Sequence, residues 1–242
     1  MSAPVIIVTG VSRGIGRAIA EELLSRGAAV VGAARNVAAV PTTGKLLPVA
    51  ADVTQEAGRK AILEAALARH GRIDGLVNNV GSAFRHPAVD TPLEDFRQVL
   101  EVNLLATFAL CCTVQPHLKA SRGSVVNVSS VTGSRVLPVR SAYGTSKAAL
   151  DHLTRSLAVE WGPDGIRVNA VLPWFTRTEM VQKVLEDGEF EQKLISATPL
   201  RRLAEPADVA RAVAFLALPD SDYITGQLLA VDGGYLAQGL SS

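Results

Sequence analysis

The sequence predicts an α/β fold, a doubly wound parallel sheet in one domain spanning residues 1–242, and three observations carry that prediction. Short apolar runs alternate with longer stretches of helical period along nearly the whole chain. The runs are apolar at consecutive residues, as strands covered on both faces must be, and not at every second residue. Repeated strand–helix–strand order then selects a parallel sheet with right-handed crossovers.

The predicted strands are Val5–Thr9, Ala29–Ala34, Lys45–Ala50, Gly75–Asn78, Ser124–Ser129, Arg167–Leu172 and Leu228–Val231. Helices are predicted near 14–26, 55–69, 93–118, 141–161 and 206–217. Gly27 and Gly71 stand where left-handed caps would end the first two. Thr91-Pro92-Leu93-Glu94 predicts a capping box with proline at the first helical position. Leu150, Leu153, Leu157 and Trp161 recur at three to four residues, an apolar stripe aimed at the sheet. Asn36 to Lys45 is too short for more than a brief helix or none. Trp174–Leu200 breaks the alternation and, following a strand's carboxyl end, is expected to form a substrate lid.

Composition narrows the function classes. The formal net charge is +1 with no basic stretch, so neither nucleic acid nor an anionic membrane is expected as a partner. No uncharged apolar run approaches the ~20 residues of a membrane span. The opening Met-Ser-Ala-Pro lacks a basic n-region, which argues against a signal peptide. Cys111 and Cys112 are adjacent and have no other cysteine to pair with. They are expected to be small buried hydrophobes on a helix in a reducing cytoplasm. His70, His86, His117 and His152 show no metal-ligand spacing, and no metal is expected.

The chemistry begins at Thr9-Gly10-Val11-Ser12-Arg13-Gly14-Ile15-Gly16, between the first strand and the first helix. Glycines permit a tight turn and close backbone approach, and the helix N-terminus offers free N–H groups to a pyrophosphate. Tyr143 and Lys147 are four apart and share a helix face. A lysine ammonium beside a phenol favours the phenolate and lowers its pKa from ~10 toward neutrality. Tyr143 is therefore a candidate general acid for ketone reduction. Ser130 is a candidate donor to the carbonyl oxygen. Strand alternation separates it from Ser129.

The glycine spacing resembles the T-G-x-x-x-G-x-G turn of the short-chain dehydrogenases/reductases, a Rossmann-fold family. The resemblance extends along the chain. Asn78-Asn79-Val80-Gly81 resembles that family's N-N-A-G, and Asn103 its helix asparagine. Ser130 precedes the Y-x-x-x-K of Tyr143 and Lys147 by the family's thirteen residues. Pro173 and Thr178 resemble P-G-x-x-x-T, and Gly226-Gln227 with Val231-Asp232-Gly233-Gly234 the C-terminal strand and turn. Trp174 stands in place of the usual glycine. The Pro-Trp pair and the C-terminal ending are most similar to the tropinone-reductase-like branch.

The resemblance implies a carbonyl reductase acting reversibly on a ketone or secondary alcohol. It implies Asn103, Ser130, Tyr143 and Lys147 as the catalytic set, with Lys147 also holding the nicotinamide ribose and Asn103 keeping a water chain to it. It implies a dinucleotide held by Gly10, Ser12, Gly14, Ile15, Gly16, Asn79, Gly81, Pro173 and Thr178, with Asp52 and Val53 flanking the adenine. A homotetramer is implied too, and the apolar Tyr235-Leu236-Ala237 and Leu240 suit a subunit contact. Trp174 is expected to wall the substrate pocket beside Ser130 and Tyr143.

The second strand ends Gly32-Ala33-Ala34-Arg35-Asn36, with no carboxylate to bind a ribose 2′-hydroxyl or repel a 2′-phosphate. Arg35 can grip phosphate, and Arg13 can approach it from the other side or stack on adenine. NADP(H) is expected over NAD(H). An NAD-dependent secondary-alcohol dehydrogenase and a non-catalytic dinucleotide-binding protein are the alternatives.

Overall fold

The computed structural model describes residues 3–238. Leu240, expected at a subunit contact, lies outside the described residues, as do Met1 and Ser2. The strands are β1 Val5–Thr9, β2 Ala29–Ala34, β3 Leu46–Ala50, β4 Gly75–Asn78, β5 Ser124–Val128, β6 Arg167–Pro173 and β7 Leu228–Val231. They form one parallel sheet in the order β3-β2-β1-β4-β5-β6-β7. The order reverses between β1 and β4, so the loops after these two strands diverge and leave a crevice at their carboxyl ends.

Strands β1, β2, β4 and β5 are buried at every position, which is why they read as unbroken apolar runs. On one face α2 (Glu56–His70), α4 (Ala106–Ser121) and α5 (Ser141–Trp161) cover a core containing Ile7, Val31, Leu76, Leu110 and Trp161. On the other, α1 (Gly14–Ser25) and α8 (Pro206–Ala217) cover Ile6, Val8, Val30, Val77 and Val126. Each fully buried aliphatic side chain of this kind contributes about 1.5–3 kcal/mol by leaving water. The α5 stripe faces inward as expected: Leu150, Leu157 and Trp161 are buried, with Leu153 packed against them. Gly27 (φ +89°) and Gly71 (φ +68°) close α1 and α2, and residues 36–45 contain no helix.

Several local expectations need correction. Thr91 does not cap a helix; α3 (Leu93–Leu100) starts after an extended Pro92, and the Thr91 hydroxyl donates to Pro87 O at 2.9 Å. The Thr hydroxyl is taken by the preceding turn, so the helix entry lacks its side-chain cap. The predicted helix 93–118 is α3 and α4 joined by a π-helical stretch, Glu101–Leu105, and it runs on to Ser121 despite Pro116. Leu93–Ser121 is long enough, with a mean hydropathy of 1.4, to pass for a spanning helix by length and composition. Its inward positions Val99, Leu110, Val114 and Leu118 are buried. Cys111 is buried but Cys112 is exposed, because consecutive helical residues point about 100° apart.

The segment after β6 contributes α6 (Glu179–Leu185) and α7 (Gly188–Ser196), and it has its own apolar cluster around Trp174, Leu194, Leu203 and Tyr235. Tyr235 and Leu236 pack there rather than offering a free apolar ending. Gly233 and Gly234, both at positive φ, turn the chain back so closely that a Cβ on either would meet Thr198 at 2.6 Å or Pro199 at 3.0 Å.

Candidate active site

The crevice opens into one cleft of about 1040 Å³, lined from the glycine turn, the ends of β2, β4, β5 and β6, and the segment after β6. All the expected cofactor and catalytic side chains except Gly16 and Asn103 line it. Those two lie directly behind its walls.

The turn after β1 is built for close approach. Gly10 (φ +76°) and Gly14 (φ +56°) adopt left-handed backbone, and a Cβ on Gly16 would stand 2.2 Å from Gly10 O. Arg13 is the N-cap of α1 and makes no side-chain cap bond, so the first N–H groups of the helix, at Gly14 and Ile15, face the cleft without a capping side chain. Asn79 supports the turn from behind: its side-chain amide donates to Thr9 O at 3.0 Å, and its backbone N–H donates to the Thr9 hydroxyl at 2.9 Å. Thr178, at the start of α6, reaches across to Gly14; a Cβ there would lie 3.4 Å from its methyl. An uncapped helix end beside glycines that leave room for a ligand fits a pyrophosphate.

At the far end of β2, Arg35 is exposed, lines the cleft and makes no hydrogen bond or ion pair among the described residues. Asp52 accepts the N–H and hydroxyl of Thr54 at 3.0 and 2.8 Å, which, with Arg35 nearby, holds its carboxyl below the usual range. Val53 is buried in the cleft wall. Arg13 is not free. It forms an ion pair with Glu179 at 2.7 Å, linking the glycine turn to α6.

The other end of the cleft is built on β5 and α5. Ser130 follows β5, and its Oγ accepts from Thr132 N–H at 3.2 Å and the Thr132 hydroxyl at 2.9 Å. With both lone pairs engaged, its own proton is left to donate toward the cleft, where the Tyr143 hydroxyl is a partner. Ser129 turns inward to Lys147 O at 3.4 Å. Lys147 is buried at 3% exposure; its Nζ donates to Val128 O at 2.9 Å and lies 5.7 Å from the Tyr143 ring centroid.

Burial pushes Lys147 down to about 8, and the buried Asp151 opposes that shift. Burial likewise pushes the Tyr143 phenol up, against hydrogen bonding from Ser130 and the charge of Arg140. This corrects the expectation of a tyrosine drawn down by its lysine. The ammonium is committed to Val128 O, desolvation dominates, and the opposing cation is Arg140.

Asn103 lies in the π-helical stretch. Its Oδ1 accepts Ser82 N–H at 2.8 Å, and its Nδ2 donates to Ser82 O at 3.0 Å and to the Ser146 hydroxyl at 2.9 Å. Ser146 in turn donates to Tyr143 O at 2.7 Å. Asn103 thus ties the loop after β4 to α5, and Gly81 lies between it and Lys147: a Cβ there would be 3.5 Å from Asn103 Oδ1 and 3.8 Å from Lys147 Nζ. Pro173 and Trp174 border the cleft at the end of β6, but most of the indole is committed elsewhere. It stacks on Tyr235 at 3.6 Å, and its Nε1 donates to the Thr198 hydroxyl at 3.1 Å.

Sequence reasoning missed Thr132, Ser146, Asp151 and Arg140. The first two are unremarkable hydroxyls in sequence, and only their bonds to Ser130 and Asn103 mark them. Asp151 could have been found by spacing, at four residues beyond Lys147 on the same helix face; Arg140 precedes α5 with non-helical backbone and had no such signal. Among the described residues no group of His, Cys, Asp or Glu is placed to hold a metal ion.

A phosphate-accepting turn and a Ser–Tyr–Lys cluster in one cleft define a dinucleotide-dependent oxidoreductase, and the comparisons agree. Residues 10–236 match the family model described as enoyl-(acyl carrier protein) reductase. A tropinone reductase homolog of Arabidopsis thaliana is 43% identical over 245 residues, 97% of this chain and 93% of that protein. The aldohexose dehydrogenase of Thermoplasma acidophilum superposes with a TM-score of 0.92 at 35% identity, covering 99% of this chain and 96% of that one. ElxO with NADP bound gives 0.90 at 33% identity, covering 98% and 100%. The chain belongs to the short-chain dehydrogenase/reductase family, within its tropinone-reductase-like branch.

Proposed function

We propose that the protein is an NADPH-dependent carbonyl reductase, converting a ketone to a secondary alcohol reversibly. The observation that carries the reading is the convergence of Ser130, Tyr143 and Lys147 at the end of the cleft opposite the glycine turn. When bound, the dinucleotide supplies the hydride. Gly10, Ser12, Gly14, Ile15 and Gly16 would hold its pyrophosphate, with Asn79 and Thr178 fixing the turn's shape. Asp52 and Val53 would flank the adenine, and Gly81, Pro173 and Lys147 the nicotinamide side.

Tyr143 delivers the proton to the carbonyl oxygen. Burial keeps its phenol protonated, the form reduction needs, while Arg140 and Ser130 limit that upward push. Ser130 donates to the same oxygen as charge develops. Lys147 holds positive charge beside the phenol, and Asn103 positions α5 against the loop after β4. Oxidation runs the same groups backward, with Tyr143 as base.

The preference for NADPH rests on Arg35, exposed and unpaired beside a strand end without a carboxylate, with Arg13 nearby. The neighbour ElxO binds NADP. Charge-assisted phosphate bonds of ~1.5–3 kcal/mol correspond to a preference of at least ~10-fold after screening. kcat/KM measured with both cofactors should show it in the wild type and lose it in Arg35→Ala. Equal efficiencies in the wild type would return the enzyme to the NAD-dependent alternative.

The reading includes a homotetramer in a reducing, cytoplasmic setting. Support comes from exposed apolar residues on the outer helices and the edge strand: Leu105 in the π-helical stretch, Phe108 on α4, Val159 on α5, Phe215 on α8 and Leu229 on β7. Light scattering should report four times the 25.4 kDa chain; a monomer at micromolar concentration would refute it.

A further inference from the structure

Arg140 stands three residues before Tyr143, in the wall of the same cleft. Its guanidinium carbon is 5.8 Å from the Tyr143 ring centroid. The side chain is half-buried, yet among the described residues it has no hydrogen-bond or ion-pair partner. The positive charge of Arg85, in the loop after β4, further disfavours that of Arg140, and Arg85 forms no ion pair among the described residues. Burying one cation and setting another beside it costs free energy, which the Tyr143 ring under the guanidinium offsets only in part, since the charge of Arg140 remains disfavoured. Such an arrangement at a reaction centre is what an anion completes.

The other charges around this end do not supply that anion. On the facing wall Glu94 is paired with Arg97 at 3.6 Å, and behind it Asp95 faces His86 at 3.6 Å. Glu101 lines the cleft unpaired but exposed, so water screens it. Lys147 adds a further positive charge, and the buried Asp151 acts on that lysine and on Arg155 rather than on Arg140.

We infer that the substrate is an oxo acid: a ketone whose carbonyl oxygen meets Tyr143 while a carboxylate a few carbons away is bound by Arg140, with the charge of Arg85 adding to the attraction. The inference rests on the carbonyl-reductase reading and adds the substrate's charge. A guanidinium binds carboxylate through paired N–H donors, so the site selects for charge and for distance from the carbonyl. A ketone carrying an ammonium group meets the like charges of Arg140 and Arg85 there and is rejected.

The test compares oxo acids of graded chain length with their methyl esters and with an amino ketone, under saturating NADPH. In the wild type, the best acid should exceed its ester by at least about tenfold in kcat/KM, the scale of one charge-assisted contact. The difference should lie mainly in KM and shrink at high salt. Arg140→Gln should lower the acid-to-ester ratio at least tenfold, Arg140→Lys should restore part of it, and the exposed Arg85→Gln should lower it less. An ester or amino ketone reduced as well as the acid, or a ratio indifferent to Arg140→Gln, overturns the inference and leaves carbonyl reduction standing. If no carbonyl compound is reduced, the functional reading itself fails. Calorimetric titration of the oxo acid then decides the anion site alone: tighter binding to wild type than to Arg140→Gln supports it, and equal or absent binding overturns it.

Discussion

The two ends of the cleft hold positive charge in opposite ways. By β2, Arg13 and Arg35 lie at the surface, and the side chain of Arg13 is 69% exposed even while paired with Glu179. By α5, Lys147 is 3% exposed and Arg140 half-buried. Exposed cations cost little to keep charged and are weakened by salt. Buried cations carry a desolvation cost and in return act at short range where water screens little. The first end suits a large, solvated charge such as a phosphate. The second suits charge held at short range, whether it appears on an oxygen as a bond is made or arrives on a small substrate group beside Arg140.

The sharpest way to break this contrast is at the buried end. Tyr143→Phe keeps the ring and removes the transferable proton, and should cost at least ~10²-fold in turnover while NADPH affinity changes only a few-fold. Near-wild-type turnover in that variant would remove Tyr143 from the mechanism.

Lys147 tests the cost of burial. Its pKa is about 8 in the fold against 10.5 in its absence. Below about pH 8 the lysine is charged in both states and the fold bears the full desolvation cost. Between about 8 and 10.5 the unfolded chain holds a proton that the folded chain has released, so stability rises with pH across that window. Lys147→Met should therefore gain about 2 kcal/mol at pH 7 and flatten the rise, while losing activity. Denaturant unfolding at pH 7 and pH 10 measures both; a less stable variant would contradict the cost.

Glu179→Gln probes the exposed end and should have the smallest effect. It frees Arg13 from a surface pair worth ~0–1 kcal/mol, so NADPH should bind up to about fivefold more tightly at low salt and no differently at high salt. Weaker NADPH binding at low salt would show that the pair holds the site open rather than competing for it.

The same contrast explains what could be read from the sequence. The strands were legible because parallel strands are buried on both faces, and the glycine turn because only glycine fits there. Ser130, Tyr143 and Lys147 were legible by local spacing. Arg140's environment was not, because Arg85 is distant in sequence. The π-helical stretch was not, because Asn103's bonds to Ser82 and Ser146 arise only on folding. The break in alternation after β6 was legible, but the contacts of that segment were not: the Thr176–Ala204 bridge and the Arg177–Glu191 pair join residues with no local signature. Trp174 borders the cleft, but its stacking on Tyr235 was not legible, because that partner comes sixty-one residues later.

The central claim is hydride transfer to a carbonyl with Tyr143 as proton donor. Incubating the enzyme and a reducible oxo acid with NADPH carrying deuterium at the transferring carbon tests it most directly. The account predicts one deuterium on the carbinol carbon of the alcohol and none elsewhere, with the yield collapsing in Tyr143→Phe. An unlabelled alcohol, or labelled alcohol formed equally well by the variant, would contradict it.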